Sequence, residues 1–430
     1  MNYKQNERLN QLTDQTLIVG IDIAKEFHVA RAQDIRGIEF GKSIKFNNSL
    51  LGYLEFESWI REIKLAENKD RVIVGMEPTG HYWLNIARYL KDTEEYIIVT
   101  VNPMHVKKIK ELDDNNQTKT DKKDAKIIAQ LVKDARYSTP NLLEGEYEEL
   151  RNAKNLRQVM VKDLNRTKNQ IHNWLDRYFP EYKEAYVGWE SKSFIKIIKK
   201  YIFPSEIEKV SPNEIYEMLP PKMRRGVGLK KIERLVAASK NSIGIREGLS
   251  FAKMELNYLL EKYEGFLQQI EEIDNHVTEL CSSLDETEKM VQIKGIGIVT
   301  ASGIVAELGD IKKYKNSKQL IKMAGLSLIE NSSGKMKGKT TISRRGRKDL
   351  RRVLYQAILG MIRTNRAFKE MYNYYTTRSK NQLTGKQAII ALCRKLLRII
   401  HTIILKDTDY DEDKMMSAIR YPEEFLNPAA

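Results

Sequence analysis

Residues 119–132 read KTDKKDAKIIAQLV, a charged stretch that leads into an amphipathic run. Thr120 is a suitable N-cap residue, so the pattern predicts a helix that begins near Asp121. Asp121 and Asp124 then lie in the first turn, where the helix dipole favours carboxylates. Because residues three apart share a helix face, both carboxylates can point in one direction. First-turn electrostatics would explain the pair if it stood alone, but acids upstream favour a functional role.

Two predicted strands upstream each carry an acid where the apolar run stops. Residues 17–24 read LIVGIDIA and contain Asp22 as their only charge, and residues 71–77 read RVIVGME and end on Glu77. A third strand is predicted at residues 96–101, and amphipathic helices alternate with the strands. This alternation predicts a mixed α/β sheet, in which ligands gather where strands end and helices begin. All four acids can reach such a point.

The four acids are a candidate metal site. Burying a bare carboxylate costs several kcal/mol unless it is paired or ligates a metal, so Asp22 needs a partner. The alternative is that Asp22 caps the turn at Ala24 and Lys25. Four carboxylates at one edge suit two Mg²⁺ or Mn²⁺ ions about 4 Å apart, the two-metal arrangement of phosphodiester chemistry. Lys25 and Lys119 lie near the acids in sequence and are candidates for holding a phosphate.

An actin-like kinase or ATPase fold is a competing interpretation, because it also begins with a strand that bears Asp. Such folds need a glycine-rich phosphate turn directly after that strand, and here residues 23–26 read IAKE. No P-loop motif occurs anywhere in the sequence. A nucleotide triphosphate substrate is therefore disfavoured.

The composition indicates a polyanionic partner. The 430 residues carry a formal net charge of +15, which is typical of proteins that bind nucleic acid. Two cysteines, Cys281 and Cys393, exclude a disulfide framework or a cysteine-rich zinc site, and they fit the reducing cytoplasm. No signal-peptide pattern occurs, and no apolar run approaches the ~20 residues that span a bilayer. We therefore expect a cytoplasmic protein without a membrane contact.

The pattern becomes helical after Pro140. Apolar residues recur at heptad spacing from Ala252 to Leu280, and a less regular series runs from Leu150 to Trp174. These series predict two long helices that pair in a coiled-coil manner, either within one chain or between chains. The predicted domains are an α/β domain at 1–140, a helical region at 141–285 with an insertion around 180–245, a mainly helical domain at 286–406, and an acidic solvated tail at 407–430.

Two features of the C-terminal domain suggest contact with phosphates. The turn that contains Lys294, Gly295 and Gly297 is typical of a helix-hairpin-helix motif, although an ordinary helix corner with glycine caps also explains it. Further on, nine basic residues accompany the single acid Asp349. They are Lys335, Lys337, Lys339, Arg344, Arg345, Arg347, Lys348, Arg351 and Arg352. Because a solvated face normally mixes both signs of charge, this segment predicts a phosphate-binding surface.

Several short motifs, in this order and spacing, resemble those of one family. In the N-terminal part they are GIDIAK at 20–25, EPTG at 77–80, NP at 102–103 and KTDKKDA at 119–125. In the C-terminal part they are IG at 296–297, AGL at 324–326, SG at 333–334 and RKDLRR at 347–352. Together they resemble the DEDD transposases of the bacterial insertion-sequence "one-ten" family over residues 16–135 and 286–405. The resemblance does not extend to residues 180–245.

The resemblance implies an RNase H-like N-terminal domain, similar to the Holliday-junction resolvase RuvC, in a recombinase that excises and inserts its own element. Asp22, Glu77, Asp121 and Asp124 would bind Mg²⁺, and Ser333 would be the nucleophile that forms a phosphoserine bond with DNA. Family members act as oligomers, dimers or tetramers, whose site is completed between protomers, and a structured bridge RNA guides them to DNA.

Three alternatives remain open at this point. Ser332 stands beside Ser333 and carries the same hydroxyl group. A metal-dependent, DNA-structure-specific nuclease would use water as the attacking group, and Ser333 would be incidental. A nucleic-acid scaffold with an inactive site is disfavoured because all four acids are present.

Overall fold

Six strands form the sheet of the N-terminal part of the chain, in the order β3-β2-β1-β4-β5-β6. They are β1 (Thr16–Asp22), β2 (Phe27–Gln33), β3 (Glu39–Asn47), β4 (Arg71–Met76), β5 (Tyr96–Val101) and β6 (Tyr137–Ser138). Strands β1, β4 and β5 run parallel, whereas β2, β3 and β6 pair antiparallel with their neighbours. The computed structural model describes residues 3–113, 121–329, 332–333, 336–338 and 340–420. The chain divides into two compact units, residues 1–142 and 143–430.

Helices cover both faces of this sheet. They are α1 (Tyr3–Leu9), α2 (Leu50–Ala66), α3 (Trp83–Asp92), α4 (Pro103–Asp113) and α5 (Asp121–Lys133). Alternate residues of a strand point to opposite faces. Leu17, Val19 and Ile21 accordingly share one core with residues of α2 and α3, and Ile18 joins residues of α4 and α5 on the other side. The predicted mixed α/β region is therefore confirmed.

Two glycines let helix α5 lie unusually close to the sheet. Gly20 of β1 and Gly75 of β4 are register partners. A Cβ atom at Gly20 would lie 2.1 Å from the carbonyl oxygen of Ala125, and one at Gly75 would lie 2.3 Å from Cγ2 of Val132. No side chain fits at either position, and this close approach brings the first turn of α5 to the end of β1.

The second unit, residues 143–430, is mainly helical, as predicted. Its helices are α6 (Gly145–Tyr178), α7 (Tyr182–Ala185), α8 (Lys192–Lys200), α9 (Pro204–Ile207), α10 (Pro212–Met218), α11 (Pro221–Val227), α12 (Leu229–Lys240), α13 (Leu249–Cys281), α14 (Asp285–Val291), α15 (Ile298–Leu308), α16 (Ser317–Met323), α17 (Lys348–Thr364), α18 (Arg366–Thr377), α19 (Gly385–Leu405) and α20 (Glu412–Arg420), with a 3₁₀ turn at Ile311–Lys313. Four two-residue strands lie between α16 and α17: β7 (Leu328–Ile329), β8 (Ser332–Ser333), β9 (Met336–Lys337) and β10 (Thr341–Ile342).

The two long helices α6 and α13 pair within one chain. The Trp174 indole donates a hydrogen bond of 2.8 Å to the carbonyl oxygen of Ala252, and Arg157 forms a bidentate pair with Asp274 at 2.6 and 3.0 Å. The early part of α13 thus faces the late part of α6, which defines an antiparallel hairpin. The small helices α7–α12, where the insertion was expected, build a separate core around Trp174 at one end of this hairpin.

The described part of the acidic C-terminal segment differs from the predicted solvated tail at 407–430, of which residues 421–430 lie outside the described residues. Residues 412–420 form helix α20, and Met415 and Met416 are buried in the same core as α15, α17 and α19. The apolar methionines, rather than the acids that precede them, decide where this segment lies. Among the described residues, no helix is both long and apolar enough to cross a membrane.

Candidate active site

Two of the predicted acids end neighbouring parallel strands. Asp22 is the last residue of β1, and Glu77 directly follows β4. Ile21 and Met76 are register partners, so the two acids come next in register at the same edge of the sheet. Both are partly exposed, and the Thr79 hydroxyl donates a hydrogen bond of 2.9 Å to Glu77 Oε1.

A buried histidine supports the turn that follows Asp22. The amide of Ala24 donates a hydrogen bond of 3.3 Å to His28 Nδ1, and Val29 is the register partner of Asp22. Burial lowers the pKa of His28, so the ring is neutral near neutral pH. A neutral ring accepts the amide proton, which fixes the chain beyond the carboxylate. Nothing in the sequence distinguishes this histidine from the other five.

The remaining two acids belong to α5. Asp124 is buried and forms an ion pair with Lys110 of α4. It precedes Ala125, whose carbonyl oxygen faces Gly20, two residues before Asp22. Asp121 is the first residue of α5, and its side chain lies outside the described atoms. Lys119 and Thr120 lie outside the described residues.

The chemistry of these donors fits a hard divalent cation. Carboxylate oxygens are the ligands that Mg²⁺ and Mn²⁺ prefer, and the buried Asp124 already holds a positive group, the Lys110 ammonium. Among the described side chains, however, no three of His, Cys, Asp or Glu lie close enough together to hold a metal. The Asp121 side chain is not among these, and a metal ion bound by Asp124 would compete with the Lys110 ammonium.

Sequence analysis did not reveal Lys110 as the partner of the candidate acid Asp124. Lys110 is one of three lysines in α4, beside Lys107 and Lys108. Sequence shows no difference between them, because the partner of Lys110 comes from another helix.

Ser333 lies on a short hairpin of the second unit. Strands β8 and β9 pair antiparallel, with Ser332 opposite Lys337 and Ser333 opposite Met336. The side chains of these strands lie outside the described atoms, as do residues Gly334, Lys335 and Lys339 altogether.

Two arginines of the basic segment are engaged by the fold. Arg347 donates a hydrogen bond to the carbonyl oxygen of Glu307 and lies 3.5 Å from its carboxylate. Arg351 donates a hydrogen bond of 2.9 Å to the carbonyl oxygen of Ala324. These contacts hold the start of α17 against α15 and α16, so neither guanidinium is a freely available phosphate contact.

The buried carboxylate of Glu307 also pairs with Lys154 of α6. Nearby, Arg151 donates a hydrogen bond of 3.1 Å to the carbonyl oxygen of Ala306. Burial, together with the charge of Arg347, lowers the pKa of Arg151. Glu307 thus contacts two of these positive groups, Lys154 and Arg347, and Asp349 lies 3.9 Å from Lys154.

Four other cations of the segment are exposed among the described side chains. Arg344, Arg345 and Lys348 are exposed, and Arg352 is exposed while forming a 3.2 Å pair with Asp349. Arg344 adopts a left-handed backbone conformation with φ +53°, and its amide donates to the carbonyl oxygen of Gly325. This bond anchors the turn that presents the arginines.

The predicted glycine turn has two different parts. Gly295 has φ +101°, and a Cβ atom there would lie 2.9 Å from Cγ of Met361, so packing against α17 explains this glycine. Asn365 supports the turn by donating a hydrogen bond of 2.9 Å to the carbonyl oxygen of Lys294. The Lys294 side chain and Gly297, at the start of α15, are exposed.

Lys25 and Lys337 are the two remaining residues that the sequence predicted to contact phosphates. Lys25 is exposed directly after β1, in the turn that His28 supports, whereas the side chain of Lys337 lies outside the described atoms.

Comparison with known proteins gives matches in both units. A DEDD transposase model of the IS110 type matches residues 19–180, and a model described as the transposase IS116/IS110/IS902 family matches residues 288–373. An uncharacterized 44.8 kDa protein of insertion element IS116 from Streptomyces clavuligerus is 24% identical over 392 residues, which are 90% of this chain and 94% of that protein.

Two further relatives carry functional names. The pilin gene-inverting protein of Moraxella bovis is 22% identical over 401 residues, covering 92% of this chain and 97% of that protein. The transposase for insertion sequence element IS1328 from Yersinia enterocolitica is 30% identical over 164 residues, covering 36% of this chain and 46% of that protein. Each is similar to this chain in sequence.

Proposed function

The chain belongs to the IS116/IS110/IS902 transposase family, and on this premise we propose that it cuts and rejoins DNA through a covalent bond to Ser333. In this proposal the N-terminal unit is RNase H-like, similar to RuvC, and Asp22, Glu77, Asp121 and Asp124 hold Mg²⁺ or Mn²⁺. The observation that supports the metal site is the register of β1 and β4, in which Ile21 pairs with Met76 directly before Asp22 and Glu77.

The proposed step is a transesterification at a DNA phosphate. Ser333 Oγ attacks the phosphorus, so that an Oγ–P bond forms while one bridging P–O bond breaks. The departing DNA oxygen gains a proton, and the serine hydroxyl loses its proton to solvent or to a carboxylate. Because one phosphodiester replaces another, a second DNA hydroxyl can reverse the step and join a new strand end.

Serine is a weak nucleophile at its free pKa and needs activation. No histidine stands near Ser333 in sequence. A bound divalent ion would supply stabilisation of charge on the attacked phosphate. In the proposal the four acids bind that ion, and Lys110 neutralises the charge of Asp124 when no ion is bound.

Nucleic-acid binding in the proposal rests on exposed cations. Arg344, Arg345 and Lys348 contact DNA phosphates, and the net charge of +15 favours a large polyanionic partner. We include a structured guide RNA and a dimer or tetramer in the proposal, as the family resemblance implies. Sequencing the RNA that copurifies with the protein, and adding it back to RNA-free protein, tests the guide.

A covalent adduct is the decisive test of the serine. The protein is incubated with Mg²⁺ and DNA that carries the element ends, and the mixture is denatured before electrophoresis. Wild type should give a protein–DNA adduct, and mass spectrometry should place a nucleotide on the peptide that contains Ser333. Ser333→Ala should bind DNA but give neither cleaved DNA nor an adduct.

Ser332→Ala is the matched control, because it removes the same hydroxyl group from the neighbouring residue of β8. It should keep both cleavage and adduct. Cleavage by Ser333→Ala at the wild-type rate, without an adduct, would instead establish a metal-dependent nuclease that uses water.

A further inference from the structure

A cavity of about 490 Å³ lies in the C-terminal unit next to the strands that lead into the Ser333 hairpin. Leu328 of β7 and Ile342 of β10 form part of its wall, and Tyr355 of α17 and Ile390 of α19 form another part. This volume falls within the ~300–1,000 Å³ of typical small-molecule sites, which are mainly apolar with a few polar groups. An apolar wall with one aromatic side chain suits a flat, unsaturated ring.

Three cations line the same cavity. They are Arg344, Lys386 and Arg394, and its described lining contains no acid. None of them forms an ion pair within the part of the chain that the structure describes. This contrasts with Arg347, which is satisfied by Glu307. The cavity therefore combines apolar surface with uncompensated positive charge.

Of the three cations, Arg394 gives the strongest indication of an anionic ligand. Its Nε atom is buried and has no hydrogen-bond partner among the described residues. Burial and the neighbouring Arg398 lower the pKa of Arg394, so its charged form lacks a stabilising anion. A buried donor that is left unpaired costs free energy. A hydrogen bond to an incoming phosphate or carbonyl oxygen would remove that cost.

Chain connectivity places the cavity close to Ser333. Ser333 is the fifth residue after Leu328, so their Cα atoms are at most about 18 Å apart. A nucleic-acid strand that lies against the Ser333 hairpin can therefore reach the cavity within a few nucleotides.

We propose that this cavity binds the base and phosphate of an unpaired DNA nucleotide, with the base against Tyr355 and the phosphate on Arg394. Stacking on an aromatic side chain and contact with a cation are the usual means of holding an unpaired base. Only the assignment to the reacting DNA strand rests on the proposed function. A nucleotide held here would fix the strand beside the phosphate that Ser333 attacks.

The test uses the full chain, without divalent ions, and a single-stranded DNA octamer of thymidines with one central 2-aminopurine. Stacking in the cavity should quench the 2-aminopurine fluorescence. Ala391→Phe fills the cavity, and Arg394→Gln removes its buried charge. Each should weaken octamer binding about tenfold, consistent with the loss of one stacked base, and Ala391→Phe should abolish the quenching.

Arg398→Gln is the matched control, since it removes an exposed cation one turn further along α19, outside the cavity. It should change the affinity less than twofold, and thermal melting should show that all three variants fold. Equal quenching by wild type and Ala391→Phe, or an equal loss in Arg398→Gln, would overturn the proposal. Stronger quenching with the equivalent RNA octamer would also overturn it, in favour of an RNA site.

Ser333→Ala should bind and quench like wild type. The binding result therefore stands apart from the adduct assay: a missing adduct would count against the serine chemistry alone, and missing quenching would count against the cavity alone.

Discussion

Lys110 of α4 pairs with Asp124 of α5, and Asp124 is only 7% exposed. A buried carboxylate needs a positive partner, and here that partner is the Lys110 ammonium. If Asp124 is a metal ligand, the lysine and the metal ion compete for the same oxygens.

We expect Lys110→Met to lower stability without divalent ions and to raise the affinity for Mg²⁺. The loss should be about 2 kcal/mol, below the ~3–5 kcal/mol for breaking a fully buried pair, because the Lys110 side chain is 29% exposed. Thermal melting with and without Mg²⁺ and titration calorimetry measure the two effects. Lys107→Met removes an exposed lysine of the same helix and should change neither. Unchanged or weaker Mg²⁺ binding by Lys110→Met would remove Asp124 from the metal site.

Replacing any one of the four acids should abolish strand cleavage in Mg²⁺. The stability effects should differ, however, because the acids have different partners. Asp22→Asn and Glu77→Gln keep hydrogen-bonding side chains of the same size at partly exposed positions, so they should change the melting temperature little in the absence of metal. Asp124→Asn removes the ion-pair partner of Lys110 and should lower the melting temperature. Near-wild-type cleavage by any one variant would exclude that residue from catalysis.

Gly20→Ala should destabilise the N-terminal unit by at least about 2 kcal/mol, as overpacking against a backbone does. The new Cβ atom would lie 2.1 Å from the carbonyl oxygen of Ala125, which cannot move without shifting α5. Gly265→Ala is the control, because a Cβ atom there meets nothing within 4 Å in the middle of α13. It should stabilise by roughly 0.5–1 kcal/mol, since alanine favours helix. Denaturant unfolding measures both changes, and equal effects would contradict this account of the sheet–helix contact.

Local patterns predicted much of the N-terminal unit. The apolar runs predicted as strands at 17–24 and 71–77 lie mostly in β1 and β4, and the described part of α5 begins at Asp121, with the predicted N-cap Thr120 outside the described residues. Asp22 ends β1 and Glu77 directly follows β4, so the shared direction of these parallel strands puts both acids at one edge of the sheet. Periodicity and turn chemistry are local properties, so the sequence alone reveals them.

Partners that are distant in sequence were not predictable in the same way. Arg345 and Arg347 are equivalent in sequence, yet only Arg347 contacts Glu307, forty residues away. Likewise, Met415 and Met416 follow a run of acids and nonetheless enter the core. Both outcomes depend on which surface the fold places beside the residue. The distribution of charge along the sequence does not predict this.

The exposed residues Arg344 and Arg345 should differ from Arg347 in their effects on DNA binding and on stability. Arg344→Ala combined with Arg345→Ala should weaken DNA binding and reduce the slope of log affinity against log salt by up to about two, since each lost phosphate contact contributes about 0.9. Thermal stability should stay unchanged, because both side chains are exposed. Arg347→Ala should do the reverse: the buried Glu307 loses a charged partner, so the melting temperature should fall, whereas the salt slope of the remaining folded protein should be kept. Binding is followed by fluorescence anisotropy between 50 and 200 mM salt, and unfolding by circular dichroism. A lower salt slope with an unchanged melting temperature in Arg347→Ala would show that its guanidinium leaves Glu307 to contact DNA, because a structural arginine cannot be removed without cost to the fold.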